Sequence, residues 1–301
     1  MCATINRATA EPARLVLVSG HSFGTRAFEG IFASDAFLDG RAVVSLMIGL
    51  DDSRAAATVG YQPLSQLAAE QGVPYIGTAD GRLSSLAGRI SGARPDYLLV
   101  IGWSYLVGAD ILSIPRSGGI GMHPSPLPLG RGQAPIPWTI IKGLKRTALS
   151  VFFLAAAADA GPVIASYDLD VRENETSASL FYRVGHVHFI AGLDLADSIG
   201  TGLVTARSQD EAAATRWPRR RPADGEITAA MTASEIDALV RALLGPYPRA
   251  FAPVAGIQVP IRGVERSAPR PGGPEPDGPG PIPFRCADGL VYLLPDGPAR
   301  G

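Results

Sequence analysis

The sequence predicts an α/β chain: a doubly wound, Rossmann-like domain over residues 1–206 and a smaller β-rich, OB-like domain over residues 207–301. Three observations predict it. Short apolar runs recur through the first two thirds of the chain, each stopped by glycine or a turn. The stretches between them space their apolar residues as a helix does, so strand and helix alternate and the strands form a parallel sheet. After about residue 206 a basic run and proline-rich stretches appear, which fits a linker followed by small β structure.

Residues 14–19 (RLVLVS) close on Gly20 and read as a strand buried on both faces. Phe28, Ile31 and Phe32 give residues 25–33 a helical face. Residues 42–48 are the second strand, 64–71 a helix ended by Gly72, and 73–76 a third strand. Residues 83–90 are helical, and 97–101 make the strongest strand, stopped by Gly102. Residues 118–122 lead as a strand into His123. A loop crowded with proline and glycine follows (HPSPLPLGRGQAPIP), then a helix at 138–143. Two strands, 150–154 and 163–169, flank the loop AAAADAG. Residues 176–199 carry Leu180, Val184, Val187, Ile190, Leu193 and Ile199 at helical intervals. Beyond the basic run 216–222, Ser234 is the expected N-cap of a helix over residues 234–244. Residues 251–264 and 289–294 supply short strands, and 268–283 is a polyproline-like loop.

Lysine plus arginine is 27 and aspartate plus glutamate is 28, a formal charge of −1. That balance argues against a protein that coats nucleic acid. No apolar window of about 18 residues is present, so no membrane span is expected. Residues 1–14 carry Arg7, Glu11 and Arg14 and lack the apolar core of a secretory signal, so a cytoplasmic protein is expected. Two cysteines, Cys2 and Cys286, are too few for a disulfide framework or a cysteine-built zinc site.

In open α/β sheets ligands collect beyond the carboxyl ends of the strands. That rule selects the loops at 21–24, at 102–107 and from His123 onward. The first, SGHSFG, lacks the glycine spacing of a dinucleotide site, and no phosphate-binding P-loop occurs anywhere. His123 puts an imidazole at a strand end with a proline-stiffened loop behind it. Asp159 is the only charged residue between Arg146 and Asp168, and its neighbours are alanines. An acid in such company is open to desolvation and a raised pKa, and beside a histidine it makes a proton-transfer pair. Position alone also fits a turn histidine and a turn aspartate. His186 and His188, two apart on the expected long helix, face different sides and do not chelate one metal together. No metal site is expected.

The stretch GIGMHPSPLPLGRGQAPIPWTIIKG resembles the core of folate-dependent formyltransferases, most nearly the methionyl-tRNA formyltransferases and sugar N-formyltransferases. The family pattern is Asn-x-His, a Ser-Leu-Leu-Pro loop, Arg-Gly and a helix, with a later Asp-x-Gly after a strand. His123 matches the histidine, Ser125-Pro126-Leu127-Pro128 the loop, Arg131-Gly132 the Arg-Gly and Asp159-Ala160-Gly161 the Asp-x-Gly. Residues 214–251, with ASEIDALVRAL and PYPRAF, resemble the family's path into a C-terminal β domain, and the resemblance spans residues 14–262.

The resemblance implies formyl transfer from 10-formyltetrahydrofolate, as co-substrate, to an amine. His123 would stabilise the oxyanion and Asp159 would relay protons. The folate would lie against Gly102, Trp103, Ser104, Tyr105, Leu106 and Val107, mostly through main-chain hydrogen bonds, with Ser125, Pro128 and Gly161 also at the folate. The side chains of Trp103 and Tyr105 also read as wall or core aromatics. Arg131, Gln133 and His21 would meet the acceptor. Two departures stand out. The family asparagine falls on Gly121, which has no side chain to donate to an oxyanion. The acidic pair before the family aspartate is replaced within residues 155–158 by alanine. Another donor, such as Ser104, Ser125 or Gln133, or an ordered water fills the gap; or the donor differs; or the protein binds without efficient turnover. The segment 49–62, where transfer-RNA enzymes carry a long lysine-rich insertion, is short and holds one arginine against two aspartates. A small-molecule amine is therefore the expected acceptor: an amino sugar, nucleotide-linked or not, or a natural-product intermediate. The alternatives are a transfer-RNA formyltransferase, a formyltetrahydrofolate hydrolase and a non-catalytic relative. The sequence does not fix the oligomeric state.

Overall fold

The structure is a computed structural model that describes residues 11–267 and 280–296. Cys2, the amino-terminal segment up to residue 10 and most of the 268–283 loop lie outside the described residues. Contacts divide the chain into two compact units: residues 1–123, 149–167 and 184–212 form the first, and 124–148, 168–183 and 213–301 the second.

The first unit opens with β1 (Ala13–Ser19), α1 (Ser22–Phe32), α2 (Asp35–Leu38) and β2 (Ala42–Leu50). It continues through α3 (Ser65–Glu70), β3 (Tyr75–Thr78), α4 (Ala87–Gly92), β4 (Tyr97–Val100), α5 (Ala109–Leu112) and β5 (Gly118–His123). In β1 the period of two decides the packing. Leu15 and Leu17 enter one core, with Phe28, Ile31 and Leu99, while Val16 and Val18 enter a second, with Leu83, Ile90 and Ile111. A strand buried on both faces reads as an unbroken apolar run.

After β6 (Arg131–Gly132) and α6 (Pro135–Ile141), the chain forms β7 (Arg146–Phe153), β8 (Val163–Asp170) and the 25-residue α7 (Ser177–Thr201). The seven-stranded sheet has the order β3-β2-β1-β4-β5-β7-β8. Strands β1 to β5 pair in parallel, but β5 and β7 pair antiparallel, Ile120 opposite Phe153 and His123 opposite Ser150. The sheet is therefore mixed, where the alternation of elements alone predicts parallel pairing. Helix α7 meets α1 at two glycines. A Cβ on Gly30 would fall on the Phe189 carbonyl, and one on Gly192 on the Ala27 carbonyl. Only glycine permits that backbone approach.

The second unit holds β6, α6, β9 (Arg216–Trp217), α8 (Ala233–Ala242) and a four-stranded sheet of β10 (Phe251–Val254), β11 (Ile257–Glu265), β12 (Ile282–Cys286) and β13 (Gly289–Pro295) in the order β10-β11-β13-β12. Ile236, Leu239, Val240 and Leu243 pack with Ile261, Val291 and Leu293. The N-cap of α8 is Thr232 rather than Ser234. Its hydroxyl accepts from Glu235 N, and Glu235 Oε2 accepts from Thr232 N at 2.7 Å. The basic run also departs from a solvated linker. Arg216 and Trp217 pair with Arg131 and Gly132, and the buried Trp217 ring fills the space that a Cβ on Gly130 would take.

No helix among the described residues is long and apolar enough to cross a membrane.

Candidate active site

The strand order reverses between β1 and β4, so the crevice beyond their carboxyl ends is the expected ligand position. Two turns of the first unit line it. Gly20 to Ser22 joins β1 to α1, and the loop 102–107 follows β4. Gly102 has φ +63°, and a Cβ there would come within 2.6 Å of His21 Cβ. Glycine therefore satisfies both the left-handed backbone and the contact.

His21 caps α1. Its Nδ1 accepts from Phe23 N at 3.0 Å, so that nitrogen is unprotonated. Burial pushes the imidazole down to about 4. The next residue exposes a motif that spacing alone suggests: residues 20–24 read G-H-S-F-G on a strand-to-helix turn, the spacing of a nucleophile elbow. Ser22 Oγ is buried and makes no hydrogen bond among the described residues. Among the described residues no base is bonded to it, and a serine nucleophile needs one for activation.

The loop of Gly102, Trp103, Ser104, Tyr105, Leu106 and Val107 has an unusual main chain. Among the described residues its backbone N–H and C=O groups make no hydrogen bond. Trp103 and Val107 pack partly against the core beneath the sheet, while Ser104 and Leu106 are exposed. Trp103 Nε1 is buried and has no hydrogen-bond partner among the described residues. The Tyr105 ring lies where a Cβ on Gly81 would stand, and its hydroxyl accepts from Arg54 at 2.8 Å. An unpaired run of alternating donors and acceptors suits a flat heterocycle with donors and acceptors on its edge, and a pterin has that pattern.

His123 is the last residue of β5 and is buried. Asp159 is half-buried, and residues 155–157 beside it are exposed, so the alanine run does not wrap the carboxylate. Strand β7 hands over to this loop at the Ile120–Phe153 pair, three register positions from His123. The loop 154–162 therefore has to turn back about 10 Å to bring Asp159 level with the imidazole. Its local structure serves a fixed turn. Asp159 has φ +59°, and Phe153 N donates to Pro162 O at 2.9 Å. A Cβ on Gly161 would fall on the Phe153 carbonyl, which explains the glycine of Asp-Ala-Gly. Gln209 Nε2 donates to Asp159 O at 2.8 Å and to Gly161 O at 2.7 Å. This clamp has no signal in the sequence, because Gln209 lies about 50 residues downstream, beyond α7.

Gly121 sits between Ile120 and Met122 on β5. A Cβ there would stand 2.8 Å from Leu154 Cδ2 and 3.3 Å from Phe152 Cζ. Apolar side chains occupy the space beside it. On α7, His186 is exposed, while His188 is buried, bonds Val184 O through Nδ1 at 2.8 Å and stacks on Phe23 with centroids 4.4 Å apart. The two face different surroundings. No group of three or more His, Cys, Asp or Glu among the described residues is arranged to hold a metal ion.

The remaining candidates lie in the second unit. Ser125 and Arg131 are buried, Pro128 is half-buried behind a cis peptide bond, and Gln133 is exposed. Arg131 N donates to Thr215 O at 2.9 Å within the β6–β9 pairing.

Comparison with known proteins fits this architecture. The family model for formyl transferase matches residues 40–191, just over half of the 301 residues. An N-formyltransferase from Helicobacter canadensis, solved with folinic acid and dTDP-3-aminofucose, superposes with TM-score 0.68 at 13% identity, covering 95% of this chain and 100% of its own. Methionyl-tRNA formyltransferase from Clostridium thermocellum gives 0.61 at 17% identity, with 95% and 100% covered. HypX from Aquifex aeolicus, solved with tetrahydrofolic acid, gives 0.62 at 15% identity, covering 94% of this chain; this chain spans only 44% of the HypX chain. A Rossmann-like sheet, a separate β domain, a histidine ending β5 and an Asp-x-Gly turn after β7 thus accompany a family match over half the sequence, and the chain belongs to the formyl transferase family of folate-dependent enzymes.

Proposed function

We propose that the protein transfers a formyl group from 10-formyltetrahydrofolate to the amine of a small molecule. The acceptor class is an amino sugar, nucleotide-linked or not, or an amine intermediate of natural-product synthesis. Residues 1–206 serve as the catalytic domain and residues 207–301 as the β-rich domain, in a cytoplasmic enzyme. The observation that carries the reading is the unpaired main chain of the loop 102–107, in a unit that also holds His123 and the braced Asp159 turn. Relatives solved with folinic acid, tetrahydrofolic acid and an amino-sugar nucleotide support the choice of ligands. The short 49–62 segment supports a small acceptor over transfer RNA.

A bound 10-formyltetrahydrofolate supplies a formyl amide. The acceptor amine attacks the formyl carbon and a new C–N bond forms. Charge develops on the formyl oxygen, where a His123 N–H donates. Asp159 takes the proton that leaves the amine and delivers it to the departing folate nitrogen as the old C–N bond breaks. Gly121 donates nothing, so the Ser104 hydroxyl or a water shares the oxyanion with His123. Ser125, Pro128, Arg131 and Gln133 keep roles at folate and acceptor by resemblance alone.

The test begins with calorimetric titration of 5-formyltetrahydrofolate, a stable folate, followed by turnover of 10-formyltetrahydrofolate with aminosugar nucleotides. Micromolar folate binding is expected. His123→Ala and Asp159→Asn are each expected to slow turnover by about 10²–10⁴-fold, with folate binding kept within a few-fold. Turnover that both variants leave intact sinks the assignment. A steep loss of rate with added salt points to a phosphate-backbone acceptor instead. Formate release without any amine points to hydrolysis. The filled space at Gly121 favours a second reading, a relative that binds folate but turns it over poorly, and folate binding without any turnover selects it.

A further inference from the structure

The six-residue 3₁₀ segment Asp52–Ala57 follows β2. Residues 51–57 are exposed with one exception, Arg54, which folds inward. Its guanidinium donates from one terminal nitrogen to the Tyr105 hydroxyl at 2.8 Å. Its Nε is buried with no hydrogen-bond partner, and the side chain makes no ion pair among the described residues. The nearest acids in sequence are engaged elsewhere. Asp51 Oδ1 accepts from Ser53 N at 3.0 Å, and Asp52 Oδ1 accepts from the Tyr61 hydroxyl at 2.7 Å. Tyr105 also neighbours Trp103, with ring centroids 5.8 Å apart, and the buried Trp103 Nε1–H has no acceptor among the described residues.

Every polar group in this set can donate. Arginine and tryptophan have no acceptor atom, and the Tyr105 hydroxyl, having accepted from Arg54, keeps its own hydrogen to give. A half-buried cation with the Tyr105 hydroxyl as its neighbour and no anion to meet it among the described residues is costly unless a ligand supplies the acceptor. The guanidinium is a planar fork that matches a planar carboxylate. The exposed Asp51 and Asp52 close by in sequence disfavour a doubly charged phosphate and leave a monoanion as the better fit. The Tyr105 ring, seated over Gly81, holds the set at the edge of the loop 102–107.

We propose that Arg54, with Tyr105 and Trp103, forms a carboxylate-recognition subsite at the edge of that loop. It deepens the folate reading and rests on it only where the carboxylate is the glutamyl tail of the donor. An acidic acceptor is the other source of the same chemistry.

Two experiments separate the sources. The first compares the binding of 5-formyltetrahydrofolate with that of the matching pteroyl carboxamide, which lacks the glutamate and has no carboxylate, in wild type, Arg54→Ala and Arg54→Lys. The second follows tryptophan fluorescence on titration with N-acetylglutamate and with its uncharged diamide. The wild type should prefer the acid over its uncharged counterpart by about tenfold in one of the two. Arg54→Ala should abolish that preference with unchanged affinity for the uncharged ligand, and Arg54→Lys, which keeps the charge and loses the fork, should restore part of it. Loss of preference in the first experiment assigns the site to the donor tail, and in the second alone to an acidic acceptor. No preference in the wild type, or a preference that Arg54→Ala keeps, overturns the proposal. A wild type that binds neither folate defeats the donor reading, and the second experiment then decides the subsite by itself. Thermal melts of both variants check that the fold is retained.

Discussion

Asp159 shows how a single residue depends on a distant one. Its backbone is left-handed, and the turn that holds it is closed by Phe153 N to Pro162 O and by Gln209 bonding two of its carbonyls. The glutamine amide bonds two main-chain carbonyls of the turn, so it positions the turn. Gln209→Ala is expected to lower kcat by about tenfold or more with little change in KM for the folate, because small misplacements of a reacting group are costly. Steady-state kinetics checks the split; equal effects on both parameters would mean a general loosening of the fold. At Gly121 the residue scale explains the missing asparagine differently. Leu154 and Phe152 stand where its side chain would begin. The departure is part of the local packing and extends beyond one exchanged residue.

At the scale of elements, helix α8 illustrates why a cap is harder to place than a helix. Ile236, Leu239, Val240 and Leu243 make the apolar stripe plain in the sequence. Ser234 and Thr232 both have capping side chains, and the choice between them turns on Glu235, which closes a capping box with Thr232. Thr232→Ala is expected to cost about 1 kcal/mol of stability, while Ser234→Ala should cost less. Denaturant melts of the two variants measure the difference; equal losses would contradict the assigned cap. The sheet gives a parallel lesson. The βαβ rhythm correctly places β1 to β5 side by side, but β7 runs the other way. A strand reached through the long loop and α6 is no longer bound by the crossover that makes neighbours parallel.

For the molecule as a whole, the interior of the first unit sets a pH limit. Burial lowers His188 to about 3 and His21 to about 4, against about 6.5 when unfolded. The unfolded chain therefore binds more protons between these values, and stability rises with pH across the window. Their contribution is fully present above about pH 6.5 and is lost as the pH falls toward 4. The His21 cap adds a structural reason, since a protonated Nδ1 cannot accept from Phe23 N. Thermal melts from pH 7.5 to 4.5 should show Tm falling, and His188→Gln should flatten the slope. An unchanged slope would show that His188 does not take up a proton on unfolding.

The sequence by itself determined most of the strands, the long helix and the motif around His123 and Asp159. Each depends on local periodicity or on a short run of fixed residue types, which the chain states directly. The contacts place residues 124–148 and 168–183 with the C-terminal unit, where the sequence alone assigns them to the first domain. The strand order, the reversed β7, the Gln209 clamp, the packed space beside Gly121 and the inward Arg54 were decided only by tertiary structure. The physical reason is common to them: each is a contact between residues far apart in the chain. The apolar pattern that drives burial is non-directional and does not say which partners will meet.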